Sequence, residues 1–321
     1  MLLPTLDEIR LATQTVRAVM PPTPQYSWPL LNARAGAEVW VKHENHSPVG
    51  AFKLRGATIY MDWLTKNQPS VSGVIAATRG NHGQGVALAA TRAGLKSTIV
   101  VPHGNSTSKN RAMQALGATL IEHGDTFQDA FEHAAVFLAE SQKLHLVPSF
   151  HPLLVHGTAT FAYEMLSAVP ELDAMYVPIG LGSSICGVVS VRNLLGLKTK
   201  IIGVVAADAP AYARSFEAKK AVPCTTKTRL ADGLACTMPI PEALDVIFAN
   251  IDHVVEVTEQ EIASAMRALY EDTHNIAEGA AAAALAGLLK ERDLLAGRWV
   301  GFVLTGGNVD QEIFVEALRS A

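Results

Sequence analysis

Four short segments carry side chains that could do chemistry. The first is Ser47-Pro-Val-Gly-Ala-Phe-Lys53-Leu-Arg-Gly-Ala57. Lys53 stands between Phe52 and Leu54, at a predicted helix start. Apolar neighbours disfavour the charged form of an amine and lower its pKa. A neutral amine is what imine formation or proton abstraction requires. A lysine snorkelling from a helix end is the plainer reading, and this segment alone leaves both open. The second segment is Thr78-Arg79-Gly80-Asn81-His82-Gly-Gln84. Free N–H groups at a helix start bind anions such as a carboxylate. Asn81 suits a ligand oxygen or, equally simply, a helix cap. His82 alone reads as a packed, hydrogen-bonded histidine rather than a base.

The third segment is Gly180-Leu181-Gly182-Ser183-Ser184-Ile-Cys-Gly187, between a predicted strand and helix. Small residues let backbone N–H groups approach a phosphate, and the helix dipole favours its charge. Ser183 and Ser184 add hydroxyl donors. A dinucleotide fingerprint would need glycine at Ile185, and no Gly-Lys-Ser/Thr of a P-loop follows. One phosphate fits best; a bare tight turn is the alternative. The fourth segment is Thr305-Gly-Gly-Asn-Val-Asp310, where Thr305 offers a hydroxyl and Asn308 or Asp310 a helix cap. Glu278-Gly followed by alanines reads as a closely packed helix, with Glu278 as a charge favoured by the dipole.

The elements that position these segments alternate. Thr5 and Glu8 form a capping box for a first helix over 6–20, ended by Pro21, Pro22 and Pro24. Strands are expected at 38–42, 74–75, 98–101, 119–121, 174–178, 200–205, 253–257 and 299–304. Helices are expected at 52–66, 83–93, 108–116, 126–141, 259–270 and 278–289. This order argues for βαβ units and mostly parallel sheets. Ligands of such sheets bind beyond the carboxyl ends of strands, where three of the glycine-rich segments fall. With 321 residues the chain holds about two domains, or one large α/β unit. Its 49% hydrophobic and 17% charged residues exclude disorder. A net charge of −4 without a basic stripe speaks against a nucleic-acid partner. Cys186, Cys224 and Cys236 make neither a disulfide framework nor a C-x-x-C metal pair. No signal pattern opens the chain, and its longest apolar run is far short of the ~20 residues that span a bilayer. A cytoplasmic protein without membrane partners is expected.

In this order and spacing, the segments resemble the fold-type II enzymes of pyridoxal 5′-phosphate (PLP), above all the serine/threonine dehydratases and serine racemase. The likeness runs from Ser47 to Asp310 and includes Ala231-Asp-Gly-Leu-Ala235 and Glu278-Gly-Ala. It implies a two-lobed α/β fold of the tryptophan synthase β type, with mostly parallel twisted sheets flanked by helices. A large PLP-binding domain would span 1–49 and 149–321, with a small α/β domain, 50–148, inserted. By this likeness Lys53 matches the lysine joined to PLP as an imine, and Phe52 packs near the ring. Asn81 matches the residue bonding the ring's 3′ oxygen. Gly180, Leu181, Gly182, Ser183 and Ser184 match the phosphate loop, and Thr305 matches the hydroxyl facing the pyridine nitrogen. Thr78, Arg79, Gly80, Asn81 and His82 match the turn that holds the substrate carboxylate. Most relatives are homodimers, so a homodimer is expected.

The resemblance implies β-elimination from a 3-hydroxy amino acid, L-threonine or L-serine by default, giving a 2-keto acid and ammonia. Lys53 would act as general base and PLP as electron sink. The chain departs from the pattern in three places. Its phosphate loop has serines where the family has glycines. Arg79 stands where racemases carry a serine base; a guanidinium stays protonated, so weak or absent racemisation is expected. Arg79 then recognises an extra anionic group on the substrate, such as the β-carboxylate of a 3-hydroxyaspartate, or else points to solvent or pairs structurally. Only Asp208 follows the 200–205 strand where some relatives bind a divalent cation, so no metal is expected. The chain ends about where the catalytic unit of this family would end, so no effector domain is expected. Alternatives are a dehydratase for phenylserine or 3-hydroxyaspartate, an amino-acid racemase, and β-replacement. Outside PLP chemistry they are a phosphate-binding regulator and a nicotinamide-dependent oxidoreductase.

Overall fold

The strands expected from the sequence are all present; those at 174–178, 253–257 and 299–304 have the expected bounds, and the other five run further, because backbone pairing extends past the side chains that signal it. The computed structural model describes residues 3–141 and 143–319. Its strands are β1 (Gln25–Ser27), β2 (Glu38–His43), β3 (Gly73–Ala77), β4 (Lys96–Val101), β5 (Ala118–Glu122), β6 (His145–Leu146), β7 (Ala174–Pro178), β8 (Lys200–Ala206), β9 (His253–Val257) and β10 (Trp299–Leu304). They form a six-stranded sheet in the order β1-β2-β10-β7-β8-β9 and a four-stranded sheet in the order β5-β4-β3-β6. Only the β1–β2 pairing is antiparallel.

Helices cover both faces of the larger sheet, as a parallel sheet requires. Val39, Val41, Tyr176, Val204 and Phe302 face the helix Gly279–Lys290. Its alanines earn their place by proximity: a Cβ at Gly287 would lie 2.8 Å from Val204 Cγ2. Met175, Val177, Ile201, Val205 and Val303 face the helices Pro152–Ala168 and Ser183–Leu194. The smaller sheet packs Val74, Ala76, Ile99 and Val101 against the helices Lys53–Asn67 and Asn81–Arg92.

The helix that starts at Lys53 crosses Pro152–Ala168 at glycine. A Cβ at Gly157 would sit 2.4 Å from the Arg55 carbonyl oxygen, so only hydrogen fits there. Just beside this crossing lies a fully buried ionic network. Arg55 donates from Nε to Glu44 Oε2 at 2.7 Å and from Nη2 to Glu44 Oε1 at 2.9 Å. It also donates to Thr160 Oγ1 at 2.9 Å and to the two Glu164 oxygens at 3.1 and 2.8 Å. Lys42 Nζ reaches Glu164 Oε2 at 2.7 Å and the Thr23 carbonyl at 2.8 Å. Two cations and two carboxylates cancel, and every guanidinium nitrogen is used. The network ties the first turn of the Lys53 helix to β2 and to Pro152–Ala168.

Removing one partner of a buried ion pair leaves a bare charge, at a cost of about 3–5 kcal/mol. R55A is therefore expected to lose about that much in urea unfolding. R55K is also expected to be destabilised, because an ammonium cannot reproduce the planar fork. A loss below about 1 kcal/mol for R55A would contradict the role given to this network.

Candidate active site

Four loops after the carboxyl ends of strands converge between the two sheets, as the crevice rule for open α/β folds requires. The loop after β2 leads to Lys53, and the loop after β10 begins at Thr305. Backbone contacts clip the two together: Phe52 N–H donates to the Thr305 carbonyl at 3.0 Å, and Gly307 N–H to the Gly50 carbonyl at 2.9 Å. Thr305 is buried. Phe52 is buried edge-on against Phe161, with ring centroids 6.0 Å apart. It shares its packed cluster with Ile179, Ile185 and Cys186, which flank the Gly180–Ser184 loop.

Lys53 is the first residue of its helix and partly accessible from the cleft. Its Nζ lies 4.6 Å from the centre of the Phe52 ring. Burial pulls the amine down from 10.5 to about 8, against the pull of Glu278 in the other direction. The anionic neighbour is therefore too weak to keep the amine in its ordinary range.

Glu278 and Asn81 depart from simple capping. Glu278 is the residue before the helix Gly279–Lys290, yet its side chain does not cap it. Its two oxygens instead accept from Asn81 Nδ2 at 2.7 and 2.9 Å. Asn81 Oδ1 accepts from Asn308 Nδ2 at 2.8 Å, and Asn308 also donates to the Val49 carbonyl at 2.8 Å. The amide of Asn81 is thus fixed in orientation by two groups from the far side of the cleft. Burial raises the Glu278 carboxyl, opposed by Lys109 and by the Asn81 hydrogen bonds. Neither Glu278's partner nor Asn308's role had a local signal, since both bonds join segments about 200 residues apart.

The Thr78–His82 turn opens the helix Asn81–Arg92, with Gly80 at the position before it. Thr78 is buried, and its Oγ1 accepts from Gly80 N–H at 3.1 Å. His82 is driven down to about 3 by burial and then by Lys53, so it is neutral at working pH. Its Nε2 is buried with no hydrogen-bond partner among the described residues. Arg79 is half exposed and faces Asp232 at a long 3.7 Å.

The phosphate-type loop is built as its glycines require. Gly182 has φ +101°, a left-handed conformation that favours glycine. A Cβ at Gly180 would collide with the Gly233 carbonyl oxygen, 2.4 Å away. Tyr212 braces the loop, donating to the Leu181 carbonyl at 2.9 Å and accepting from Ile240 N–H at 3.0 Å. The helix Ser183–Leu194 follows without a side-chain cap, so its first N–H groups stay free. Ser183 and Ser184 are buried, and Ser184 Oγ has no hydrogen-bond partner among the described residues.

A cavity of about 380 Å³ opens at the mouth, lined among others by Arg79, Ser106, Lys109, Asp232, Glu278 and Asp310. A second, of about 440 Å³, lies at the opposite, amino ends of β7 to β10. There His253 is held between Asp252 at 2.9 Å and Glu291 at 2.8 Å, so its charges are already satisfied. Of the two, the first adjoins the site, through Arg79, Glu278 and Asn308.

Residues 16–306 match the family model described as pyridoxal-phosphate dependent enzyme. The chain belongs to this family. This PLP enzyme is 33% identical to the L-threonine ammonia-lyase of Thermotoga maritima, over 95% of the chain and 76% of that protein. It is 35% identical to the biosynthetic L-threonine dehydratase IlvA of Pasteurella multocida, over 90% of the chain but only 56% of that protein. The chain thus spans little more than half the length of some curated relatives. Among solved structures, the processed threonine deaminase isoform 2 of Solanum lycopersicum superposes with a TM-score of 0.90 at 29% identity, covering 99% of this chain and 95% of that one. The two-sheet, parallel-rich α/β architecture is that of the fold-type II PLP enzymes. The residues suit the cofactor on their own evidence: an amine softened to about 8 suits an aldehyde, and an orphan Ser184 hydroxyl before a free helix terminus suits a phosphate.

In the cofactor-free chain, Lys53 is expected to react with an arylating amine reagent with a midpoint near pH 8, followed by mass spectrometry of its peptide across pH. A midpoint near the ordinary 10.5 would show that the amine is not desolvated.

Proposed function

We propose that this chain eliminates water from a 3-hydroxy amino acid, with L-threonine or L-serine as the default substrate, and releases a 2-keto acid and ammonia. The observation that carries the reading is the Lys53 amine, brought to about 8 by burial, on the same side of the cleft as the start of the helix Asn81–Arg92. The curated relatives named as threonine ammonia-lyase and dehydratase support the same reaction class.

The cofactor would be held by Lys53 through its aldehyde, by the Gly180–Ser184 loop through its phosphate, by Asn81 at its 3′ oxygen and by Thr305 at its ring nitrogen. Phe52 would pack near the ring. Bound there, PLP withdraws electrons from the substrate's Cα and acidifies its proton. Lys53 Nζ, as a neutral amine, would accept that proton near neutral pH. The same nitrogen then carries a proton that it can deliver to the departing β-hydroxyl, which leaves as water. Water re-enters at Cα as ammonia leaves, so the net reaction loses ammonia alone. The backbone of the Thr78–His82 turn holds the substrate carboxylate at the start of its helix. His82 stays neutral and takes no part in proton transfer. The neutral Thr305 hydroxyl cannot hold a ring nitrogen protonated as a carboxylate would, which favours prompt loss of the hydroxyl over racemisation.

The small sheet and its helices, 50–148, would form one lobe of the cleft, with 1–49 and 149–321 the other. Assembly as a homodimer and a cytoplasmic location belong to the same reading; no helix among the described residues is long and apolar enough to cross a membrane.

The purified holoenzyme is expected to release 2-oxobutanoate from L-threonine or pyruvate from L-serine without added thiol. K53A is expected to lose at least about a thousandfold in kcat, since general acid–base work alone contributes about 10²–10⁴. A K53A variant with wild-type turnover, or keto acid that appears only when a thiol is supplied, would overturn the elimination reading.

A further inference from the structure

The cavity at the amino ends of β7 to β10 holds an imidazole with a carboxylate on each side. His253 opens β9. Its Nδ1 lies 2.9 Å from Asp252 Oδ2, and its Nε2 lies 2.8 Å from Glu291 Oε1. An ionised carboxylate only accepts hydrogen bonds, and a neutral imidazole has a single N–H to donate. Neither neutral tautomer can make both contacts. Together they require the imidazolium, with a proton on each nitrogen.

The two carboxylates tie the ring to three further elements. Glu291 is the capping residue at the carboxyl end of the helix Gly279–Lys290, and its Oε2 accepts from the buried Tyr176 hydroxyl of β7 at 2.7 Å. Asp252 Oδ1 faces Lys200, the first residue of β8, at 3.2 Å. A carboxylate at the carboxyl end of a helix is opposed by the helix dipole, so Glu291 is tolerated there only with a cation beside it. His253 is the nearest one. The other charges of the cavity already balance. Arg298 meets Asp173 at 3.2 Å, and Lys198 and Glu171 are exposed and of opposite sign. The loss of one proton from His253 therefore leaves one carboxylate in excess, at the helix end that tolerates it least.

We propose that His253 is a proton-operated clamp at the foot of the larger sheet. Charged, it pins the carboxyl end of the helix Gly279–Lys290 to β9. Without its proton, it releases that end. The clamp is independent of the elimination reading, because none of its groups belongs to the site between the lobes. Burial opposes the proton on His253, but the hydrogen bonds and charges of Asp252 and Glu291 outweigh it and hold the imidazole above its ordinary 6.5. A group raised in the folded chain stabilises it fully below the unfolded value. That stabilisation fades as pH rises through the folded midpoint. The clamp is thus closed in mild acid and opens on the alkaline side.

The experiment follows the imidazole signals of the holoenzyme by NMR across pH, with the His253 signal assigned by its loss in H253Q. The expected midpoint lies above 6.5, and in E291Q, where a neutral amide replaces one carboxylate, it falls. A wild-type midpoint at or below 6.5, or a midpoint that E291Q leaves in place, overturns the proposal. Hydrogen exchange then reads the opening, after correction for the intrinsic effect of pH. In the wild type, the peptide around Leu288–Leu294 is expected to lose protection between mildly acidic and mildly alkaline pH. In H253Q it is expected to be poorly protected throughout. Equal wild-type protection at both pH values would show that the helix end is held by packing alone. Should H253Q not fold, the wild-type pH comparison and E291Q decide by the same criteria.

Discussion

A lysine amine largely shielded from water is the constraint on which the rest of the molecule depends. Desolvation is unfavourable to an ammonium, so the amine of Lys53 gives up its proton more readily than a free lysine does. The same helical turn nonetheless carries Arg55, which stays charged at any working pH. Two residues apart, the chain makes one amine easy to deprotonate and keeps one guanidinium firmly ionised by giving only the second a complete set of partners. Glu44, Glu164, Thr160 and Thr23 occupy the guanidinium, whereas Lys53 is met by an aromatic ring and by a carboxylate already engaged with Asn81. The fold spends its buried counter-charges on position rather than on reactivity.

The cleft follows from the same logic. Its two walls come from different sheets, and the polar contacts that cross it run Asn81 to Glu278, Asn308 to Asn81, and Ser106 and Ser108 to Asp310. Each joins a short polar side chain to a carboxylate or amide, so the walls are registered by polar contacts as well as by packing. A small acid enters such a cleft through polar surface, with the apolar packing kept beneath, around Phe52 and Phe161.

Most of the frame is legible in the sequence because parallel strands read as short β-branched runs followed by glycine. β4, β5 and β8 all lie where Thr, Val and Ile cluster. β1 and β6 escape notice because two or three residues carry no periodicity. The helix Pro152–Ala168, with buried residues on nearly every side, has only a weak amphipathic pattern, yet it supplies Thr160 and Glu164 to the ionic network. The helix expected over 126–141 is present but interrupted, with a wider π-type turn at His133–Leu138. At the site, Lys53, Asn81 and the Gly180 loop announce themselves by local spacing. Glu278 and Asn308 do not, because what makes them matter is a partner brought in from a distant segment.

The most direct measurement is borohydride reduction of the coloured holoenzyme followed by peptide mass spectrometry. The phosphopyridoxyl mass is expected on Lys53 and on no other lysine. Finding it on Lys109, or on no peptide at all, would contradict the assignment of the buried amine as the group that holds the cofactor.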